Sequence, residues 1–185
     1  MNDSHCSRPP GQIRPVREDD AVRMLEIYQP FITQSAVSFE YEVPSQEVFR
    51  KRVTDYSHDA PWYVWETEGT VVGYAYASKH RERAAYQWAV EVSVYLDSKF
   101  RRQGIGRALY EELFRDLTQR GFHVALAGIT LPHPQSVGFH ESMGFVPVGI
   151  YRRIGFKFGN WHDVGWWQKN LKSENETPTP ISAHF

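Results

Sequence analysis

The sequence is nearly free of cysteine, since only Cys6 occurs among its 185 residues. A single thiol can form neither an internal disulfide nor a thiolate metal site. We therefore expect a reducing, cytoplasmic setting and no bound metal. No apolar run approaches the roughly 18–20 residues of a membrane span, and the polar start MNDSHCSRPPGQ lacks the apolar core of a secretory signal. These absences predict a protein without a membrane partner.

An excess of charge of one sign is also missing, because 21 Lys and Arg face 22 Asp and Glu. No global basic field is then available to attract nucleic acid. We expect no nucleic-acid partner, and any anion site must be local. The 41% hydrophobic and 23% charged residues are typical of a globular protein. They predict one domain at 13–171 between a disordered N-terminal tail at 1–12 and a loose C-terminal tail at 172–185.

The pattern of apolar residues predicts the order β α α β β β α β α β β. The first helix, within DDAVRMLEIYQPFI, is expected to be capped by Asp19 or Asp20 and to end or kink at Pro30. The second helix is expected to be capped by Ser45. WYVWET and TVVGYAYAS flank a Gly-containing turn and predict a hairpin. The order indicates an α/β (α+β) fold, with a mixed, mostly antiparallel sheet, helices on both faces, and locally parallel fourth and fifth strands.

The stretch EVSVYLDSKFRRQGIGRAL is the most informative part of the chain. A strand runs into a turn rich in Arg and Gly, and the turn opens a helix. Glycine allows close approach of a ligand, and the first N–H groups of a helix favour an anion. The stretch therefore predicts a phosphate or pyrophosphate site. A P-loop motif is absent, and Leu109 stands where the dinucleotide fingerprint needs Gly or Ala. A capped surface helix with a charged entry is the alternative.

This stretch carries a resemblance to a known family. Arg101-x-x-Gly104-x-Gly106 after a strand resembles the acyl-CoA motif of the GNAT superfamily of N-acetyltransferases. Together with AYxWxxExSVYL, LPHPQSVGFHESMGF and GFKFGNWHDVGWWQ, it resembles the phosphinothricin N-acetyltransferase family from about residue 13 to 171. The resemblance implies the GNAT acyltransferase fold with splayed fourth and fifth strands, acetyl-CoA as co-substrate, and a homodimer.

The resemblance also implies a cofactor site. Acetyl-CoA would lie between the splayed strands, with its pantetheine arm paired to the fourth strand as an added strand would be. The family usually has Asn at position 133, and the imidazole of His133 cannot reproduce the paired donor and acceptor of an amide. The implied cofactor contacts are Val94, Tyr95, Leu96, Arg102, Gln103, Gly104, Ile105, Gly106, Arg107, His133, Ser136 and Ser142.

Two residues are candidates for proton transfer. An amine must be neutral to attack a thioester, and an α-ammonium has a pKa of about 8, so a base is needed. Glu91 lies on the polar face of an otherwise apolar strand, where we expect burial to raise its pKa. The family places a catalytic Glu there; a Glu paired to an arginine is the alternative. His140, four residues after Ser136, has a family-implied role in proton transfer, against the alternative of a packed or surface histidine.

The basic loop KHRERAAYQ precedes the Glu91 strand. Arginines bind carboxylates or phosphinates well, although charge alone favours a solvated loop. The resemblance implies an amino-acid-like substrate, with an acceptor α-amine such as that of phosphinothricin or methionine sulfoximine or sulfone. The candidate substrate residues are Phe39, Arg81, Arg83, Tyr86, Glu91 and Ser93.

Alternative acceptors and an alternative function stay open. A protein N-terminus or a polyamine is an alternative acceptor, and a non-catalytic acyl-CoA sensor is an alternative function. The aromatic segment GFKFGNWHDVGWWQ predicts core packing or a homodimer interface. Within it, His162 and Asp163 are adjacent on a strand and point to opposite faces, so we expect no shared metal.

Overall fold

The computed structural model describes residues 10–182. Cys6, most of the predicted N-terminal tail and the last three residues lie outside the described residues. Three single-turn 3-10 helices occur at Glu18–Asp20, Ala84–Tyr86 and Ser98–Phe100. The helices and strands follow the predicted order, and they are β1 (Gln12–Pro15), α1 (Ala21–Thr33), α2 (Gln46–Asp59), β2 (Trp62–Thr67), β3 (Thr70–Lys79), β4 (Ala89–Leu96), α3 (Ile105–Arg120), β5 (Val124–Leu131), α4 (Pro134–Ser142), β6 (Val146–Lys157) and β7 (Asn160–Asn170).

The seven strands form one sheet in the order β1-β2-β3-β4-β5-β7-β6. All neighbouring pairs are antiparallel except β4 and β5, which are parallel. The predicted mixed sheet is therefore confirmed. The hairpin between β2 and β3 turns at Glu68 and Gly69, whose φ angles are 47° and 73°. Two successive positive φ angles match the twist of the flanking strands.

Strand alternation divides the core between the two faces of the sheet. On one face, α1 and α2 pack against Trp62, Val64 and Tyr74. On the other face, α3 packs against Val90, Val92 and other small residues of the central strands. The sheet is therefore covered on both sides, as predicted, with α1 and α2 mainly over β3, and Lys157 of β6 also reaches the Ile32 carbonyl of α1.

Two predictions about α1 need correction. Pro30 does not end the helix, which runs on to Thr33, and Gln34 N–H donates to the Pro30 carbonyl at 2.9 Å. Asp20 occupies the N-cap position but makes no side-chain cap bond. Its carboxylate instead accepts from the backbone N–H of Arg17 and forms a bidentate ion pair with Arg14 at 2.7 and 2.8 Å. By contrast, the predicted cap Ser45 accepts from the Val48 N–H.

The described part of the C-terminal tail is held against the domain, which differs from the expected loose segment. The indole Nε1 of Trp88 donates to the Thr179 carbonyl at 2.7 Å, and Ser182 N–H donates to the Arg120 carbonyl at 2.9 Å. Ile181 packs on the core of the α3 face. The division at residues 12 and 171 stays a prediction. Among the described residues, no helix combines the length and apolar character needed to cross a bilayer.

Candidate active site

The central feature is a slot between β4 and β5. β4 pairs with β3 from Val90 to Leu96, but it pairs with β5 only at 89–91, opposite 124–126. Beyond Glu91 the two strands separate, so the predicted splay is confirmed. Within the described part of the chain, the β5-facing edge of β4 has no strand partner from residue 92 onward. Its N–H and C=O groups can pair with an extended ligand as with an added strand.

A cavity of about 530 Å³ opens in this slot. One wall is the end of β4, and α4 with the first residues of α3 closes the other side. The residues lining it are Phe31, Val37, Val94, Tyr95, Leu96, Arg101, Arg102, Gly106, His133, Gln135, Ser136, Phe139 and His140. An elongated molecule can therefore run along β4 and end at the start of α3.

The turn before α3 is built to receive an anion. Arg102 and Gly104 both adopt left-handed backbone angles, with φ of 61° and 77°, and Gly104 is the N-cap of α3. The first N–H groups of the helix thus lie at the end of the cavity without helical acceptors, next to two arginines. A Cβ on Gly106 would lie 3.6 Å from Leu96 and Phe139, so glycine keeps this end of the cavity wide.

Seven of the twelve predicted cofactor residues line this cavity. They are Val94, Tyr95, Leu96, Arg102, Gly106, His133 and Ser136.

The other five predicted cofactor residues lie around the cavity rather than in its wall. Gln103 turns back to donate to the Lys99 carbonyl at 3.0 Å, and the Ile105 side chain is fully buried in the core. Arg107 donates to the Ser142 hydroxyl at 3.1 Å and so links α3 to α4. Gly104, which has no side chain, is the N-cap of α3. Contacts from these five residues to a cofactor stay predictions.

His133 stands where the family usually has Asn, and its imidazole takes over the capping of α4. Its Nδ1 accepts from the Ser136 N–H at 3.1 Å, so the imidazole caps α4 as a side-chain carbonyl oxygen would. An accepting Nδ1 places the proton on Nε2. His133 can therefore offer one donor to the cavity while it holds the start of the helix.

His140 is buried, with 6% of its surface exposed. Its Nδ1 lies 2.8 Å from the Ser136 carbonyl, which can only accept, so Nδ1 carries the proton. Its Nε2 lies 3.1 Å from the hydroxyl of Tyr110. Burial lowers the pKa of His140 below its usual value, although the bond to Ser136 opposes this shift. The imidazole is therefore neutral at neutral pH.

Glu91 is the last β4 residue that pairs with β5. Its side chain is 38% exposed and its Oε1 lies 2.9 Å from His80 Nδ1. The expectation of a buried carboxylate is therefore wrong. Its partner is a histidine rather than the arginine of the alternative interpretation.

The basic loop places its residues around His80. The Nε of Arg81 donates to His80 Nε2 at 3.3 Å, and the Arg81 guanidinium lies 5.8 Å from the Tyr86 ring. Tyr86 in turn meets His80 edge-to-face at 5.8 Å. Arg83 is exposed at the start of the 3-10 turn. The structure thus brings Arg81, Tyr86 and Glu91 together through one imidazole.

A second, smaller cavity of about 210 Å³ lies beside this cluster. It is bordered by His80, Arg81, Leu126, Val148, Gly149, Tyr151 and Trp166. Glu91 pairs with Leu126, which borders this cavity, and its carboxylate contacts His80, another residue of the border. The smaller cavity has the size and position to hold a compact molecule beside the slot.

Phe39 belongs to the loop between α1 and α2, which the hairpin β6–β7 fixes in place. Its ring lies where a Cβ on Gly155 would come within 2.1 Å, and it faces His162 at 6.1 Å. Lys157 is buried, and its ammonium donates to the carbonyls of Ile32, Ser35 and Ser38 at 2.6, 3.0 and 2.6 Å. The ammonium thereby ties the β6–β7 hairpin to the loop that carries Phe39.

The last predicted substrate residue, Ser93, lies directly opposite Tyr76 in the β3–β4 pair. Its neighbour on that face, Tyr95, packs edge-on against Tyr28 and Phe31 of α1. Ser93 therefore lies beside the cluster of aromatic rings that Tyr95 forms with Tyr28 and Phe31.

Sequence reasoning missed several residues of both cavities. His80 and Trp166 come together only through the sheet order, and no local pattern marks them. Phe139 follows Ser136 by three residues, so helical spacing could have placed it on the cavity face. Arg101 belongs to the quoted motif but not to the predicted cofactor residues, whereas the structure places it in the wall of the long cavity, with its guanidinium 5.4 Å from the Phe31 ring.

Comparisons of the sequence and the fold with known proteins point to acetyltransferases. A model of the acetyltransferase (GNAT) domain matches residues 13–166. Phosphinothricin N-acetyltransferase of Streptomyces viridochromogenes is 36% identical over 94% of this chain and 92% of that protein. L-methionine sulfoximine/L-methionine sulfone acetyltransferase of Salmonella typhimurium is 28% identical over 86% and 94%. The crystal structure of a phosphinothricin acetyltransferase from Sinorhizobium meliloti with AcCoA gives a TM-score of 0.87, with 34% identity over 91% and 93%.

The turn before α3 yields a direct prediction. An alanine at position 104 must adopt φ near 77°, which costs about 1–2 kcal/mol for a residue with a Cβ. Relief of this strain moves the N–H groups of the turn, so we expect the Gly104→Ala variant to bind CoA about 5- to 30-fold more weakly by calorimetry. Gly69→Ala is the matched control, because Gly69 has φ of 73° in the distant β2–β3 turn. Equal CoA affinities for the Gly104→Ala variant and the wild type would contradict the assignment of this turn as the anion site.

Proposed function

The chain belongs to the GNAT family of acetyltransferases, and we propose that it acetylates the α-amine of a small amino-acid analogue of the phosphinothricin or methionine sulfoximine/sulfone type. Acetyl-CoA supplies the acetyl group. One observation carries the proposal: Glu91 is the last β4 residue paired with β5, where the slot begins, and its carboxylate is linked through His80 to Arg81. The names of the relatives support the acceptor class.

On the cofactor side, we propose that the pantetheine arm pairs with the backbone of 94–96. The diphosphate then meets the N–H groups at 104–107 and the charges of Arg101 and Arg102. His133 and Ser136 face the ligand from α4, and Arg107 with Ser142 closes the gap between the two helices. Gln103 and Ile105 contribute backbone groups, because their side chains are engaged elsewhere.

The chemistry that fits this geometry is direct attack. Glu91 accepts a proton from the acceptor ammonium, directly or through water, which its 38% exposure allows. The amine attacks the thioester carbonyl, and backbone N–H groups of 92–94 stabilise the oxyanion. The C–N bond forms and the C–S bond breaks, the nitrogen releases its second proton as it becomes an amide, and the departing CoA thiolate takes up one proton.

His140 is proposed to serve this last step. Its neutral imidazole first accepts at Nε2 the proton that the new amide nitrogen releases. Because its pKa is lowered, His140 then passes this proton readily to the CoA thiolate, since an alkyl thiol has a pKa of about 8.5. His140 lines the cofactor cavity and can exchange protons through Nε2 and the Tyr110 hydroxyl. Its bond to Ser136 keeps the ring oriented during the exchange.

On the acceptor side, Arg81 is proposed to bind the carboxylate or phosphinate of the substrate, assisted by Arg83 and Tyr86. Phe39 and Ser93 contribute from the opposite wall. The residues that border the small cavity include no carboxylate, which disfavours a polyamine acceptor. Its volume of about 210 Å³ suits a compact molecule better than a protein chain.

We also propose a cytoplasmic homodimer, formed through the β6–β7 hairpin. β6 is an edge strand, and exposed edges invite pairing with a second chain. Large apolar residues of the hairpin are 44–59% exposed, a patch typical of an interface. These residues are Val146, Val148, Ile150, Tyr151, Ile154, Phe156, Phe158 and Trp161.

The base role of Glu91 has a direct test. Glu91→Gln keeps the shape and a hydrogen bond but removes the proton acceptor, so we expect kcat to fall by about 10²–10⁴. CoA release is measured with phosphinothricin from pH 6 to 9. A rate that does not change across this range in the variant and the wild type would remove Glu91 from the mechanism. Glu82→Gln is the control, because the Glu82 side chain is 91% exposed.

Arg81→Ala tests the acceptor side. The variant loses the guanidinium that is proposed to hold the acidic group, so KM for phosphinothricin should rise about tenfold or more while KM for acetyl-CoA changes little. Steady-state kinetics with each substrate varied in turn gives both constants. Equal increases in the two constants would contradict a role on the acceptor side.

Sedimentation equilibrium tests the dimer. The wild type is expected at twice the chain mass of 21.5 kDa, and Ile154→Lys should shift it towards the monomer, because a charge replaces an apolar contact. Val48→Lys is the control at a 54% exposed position on α2. A wild type at 21.5 kDa at micromolar concentration would contradict the proposal.

A further inference from the structure

His80 is the one residue that touches both Glu91 and Arg81 in the cluster described above. It follows β3 directly, and its side chain is 15% exposed. Nδ1 lies 2.9 Å from Glu91 Oε1, and Nε2 lies 3.3 Å from Arg81 Nε. Both ring nitrogens are therefore engaged.

The two partners fix the tautomer of His80. The Nε–H of an arginine can only donate, so Nε2 of His80 must accept. A carboxylate can only accept, so Nδ1 must carry the proton. His80 is therefore a neutral imidazole that donates to Glu91 and accepts from Arg81.

Aromatic contacts fix the plane of the ring. Tyr86 meets it edge-to-face at 5.8 Å, and Trp166 of β7 does so at 6.0 Å. Glu91 lacks comparable support, because its side chain is 38% exposed. Among the bonds described for the Glu91 carboxylate, the one from His80 sets its direction.

We propose that His80 is a positioning residue, which aims the Glu91 carboxylate at the acceptor amine and couples it to the arginine that holds the acceptor's acidic group. The inference rests on the proposed roles of Glu91 and Arg81. His80 does not itself take the proton, because its only unprotonated nitrogen is occupied by Arg81. Binding of the acidic group and activation of the amine are then linked through one imidazole.

The link has a consequence for specificity. An acceptor whose acidic group binds Arg81 contacts a guanidinium that is hydrogen-bonded, through His80, to the proposed base Glu91. A neutral amine substrate cannot engage Arg81 in this way. The groups that face His80 are Glu91 from β4, Arg81 and Tyr86 from the loop, and the Trp166 ring from β7.

Two substitutions separate the roles of the ring. His80→Phe keeps an aromatic ring for Tyr86 and Trp166 but removes both hydrogen bonds. His80→Asn offers an amide N–H near the place of Nδ1, so it restores the bond to Glu91 and not the one to Arg81. His58→Phe is the matched control, since the His58 side chain is 67% exposed at the end of α2.

The measurement is kcat and both KM values for phosphinothricin and acetyl-CoA across pH 6 to 9. We expect His80→Phe to lower kcat/KM for phosphinothricin by about 10- to 100-fold, as loss of an orienting partner usually does, and to change the acid limb of the profile. KM for acetyl-CoA and the melting temperature should stay near the wild-type values. His80→Asn should recover most of kcat but keep a raised KM for phosphinothricin.

Double variants distinguish the possible failures. If His80 acts on the base through Glu91, adding His80→Phe to Glu91→Gln causes no further loss of kcat, while KM for phosphinothricin rises as it does in His80→Phe alone. Losses of kcat that multiply would overturn the proposal, as would a wild-type profile for His80→Phe or an equal loss of acetyl-CoA affinity. If Glu91→Gln alone keeps full activity, the base role fails instead, whatever the His80 variants show.

Discussion

The structure depends on the incomplete pairing of β4. This strand is bonded to β3 along seven residues but to β5 along only three. If the pairing continued, the peptide groups of 92–96 would be satisfied within the sheet and no slot would exist. The α4 helix holds the slot open from one side, since Phe139 and His140 border the cavity. The fold thus leaves this edge of β4 without a strand partner, and we propose that the pantetheine arm of the cofactor pairs with it.

The separation of β4 from β5 also determines where each part of the site lies along the slot. Glu91 is the last residue of β4 paired to β5, so the proposed base stands where the slot begins. The left-handed turn at Arg102 and Gly104 brings the start of α3 to the other end of the cavity. Positive charge is local at both places, with Arg101 and Arg102 at the turn and Arg81 near Glu91. A chain with a net charge of only −1 can therefore bind two anionic substrates.

Local patterns predicted the elements of this architecture well. Alternation along 88–96 indicated β4, and the glycines and arginines before α3 indicated an anion site. What local patterns could not supply was tertiary context. Asp20 is drawn from its capping role by Arg14, and α1 continues past Pro30 while its buried residues, such as Ile32, pack on the sheet. The partner of Glu91, His80, comes close to it through the β3–β4 register, in which Ser78 faces Glu91.

The most direct test of the account is residue-resolved hydrogen exchange with and without acetyl-CoA. The amides of 92–96 that face the slot, and those of 104–107, lack strand or helix partners that would protect them. The account predicts that acetyl-CoA slows their exchange while the amides of the β6–β7 hairpin change little. Unchanged exchange along β4 at saturating acetyl-CoA would show that the ligand does not pair with this edge, and it would contradict the account.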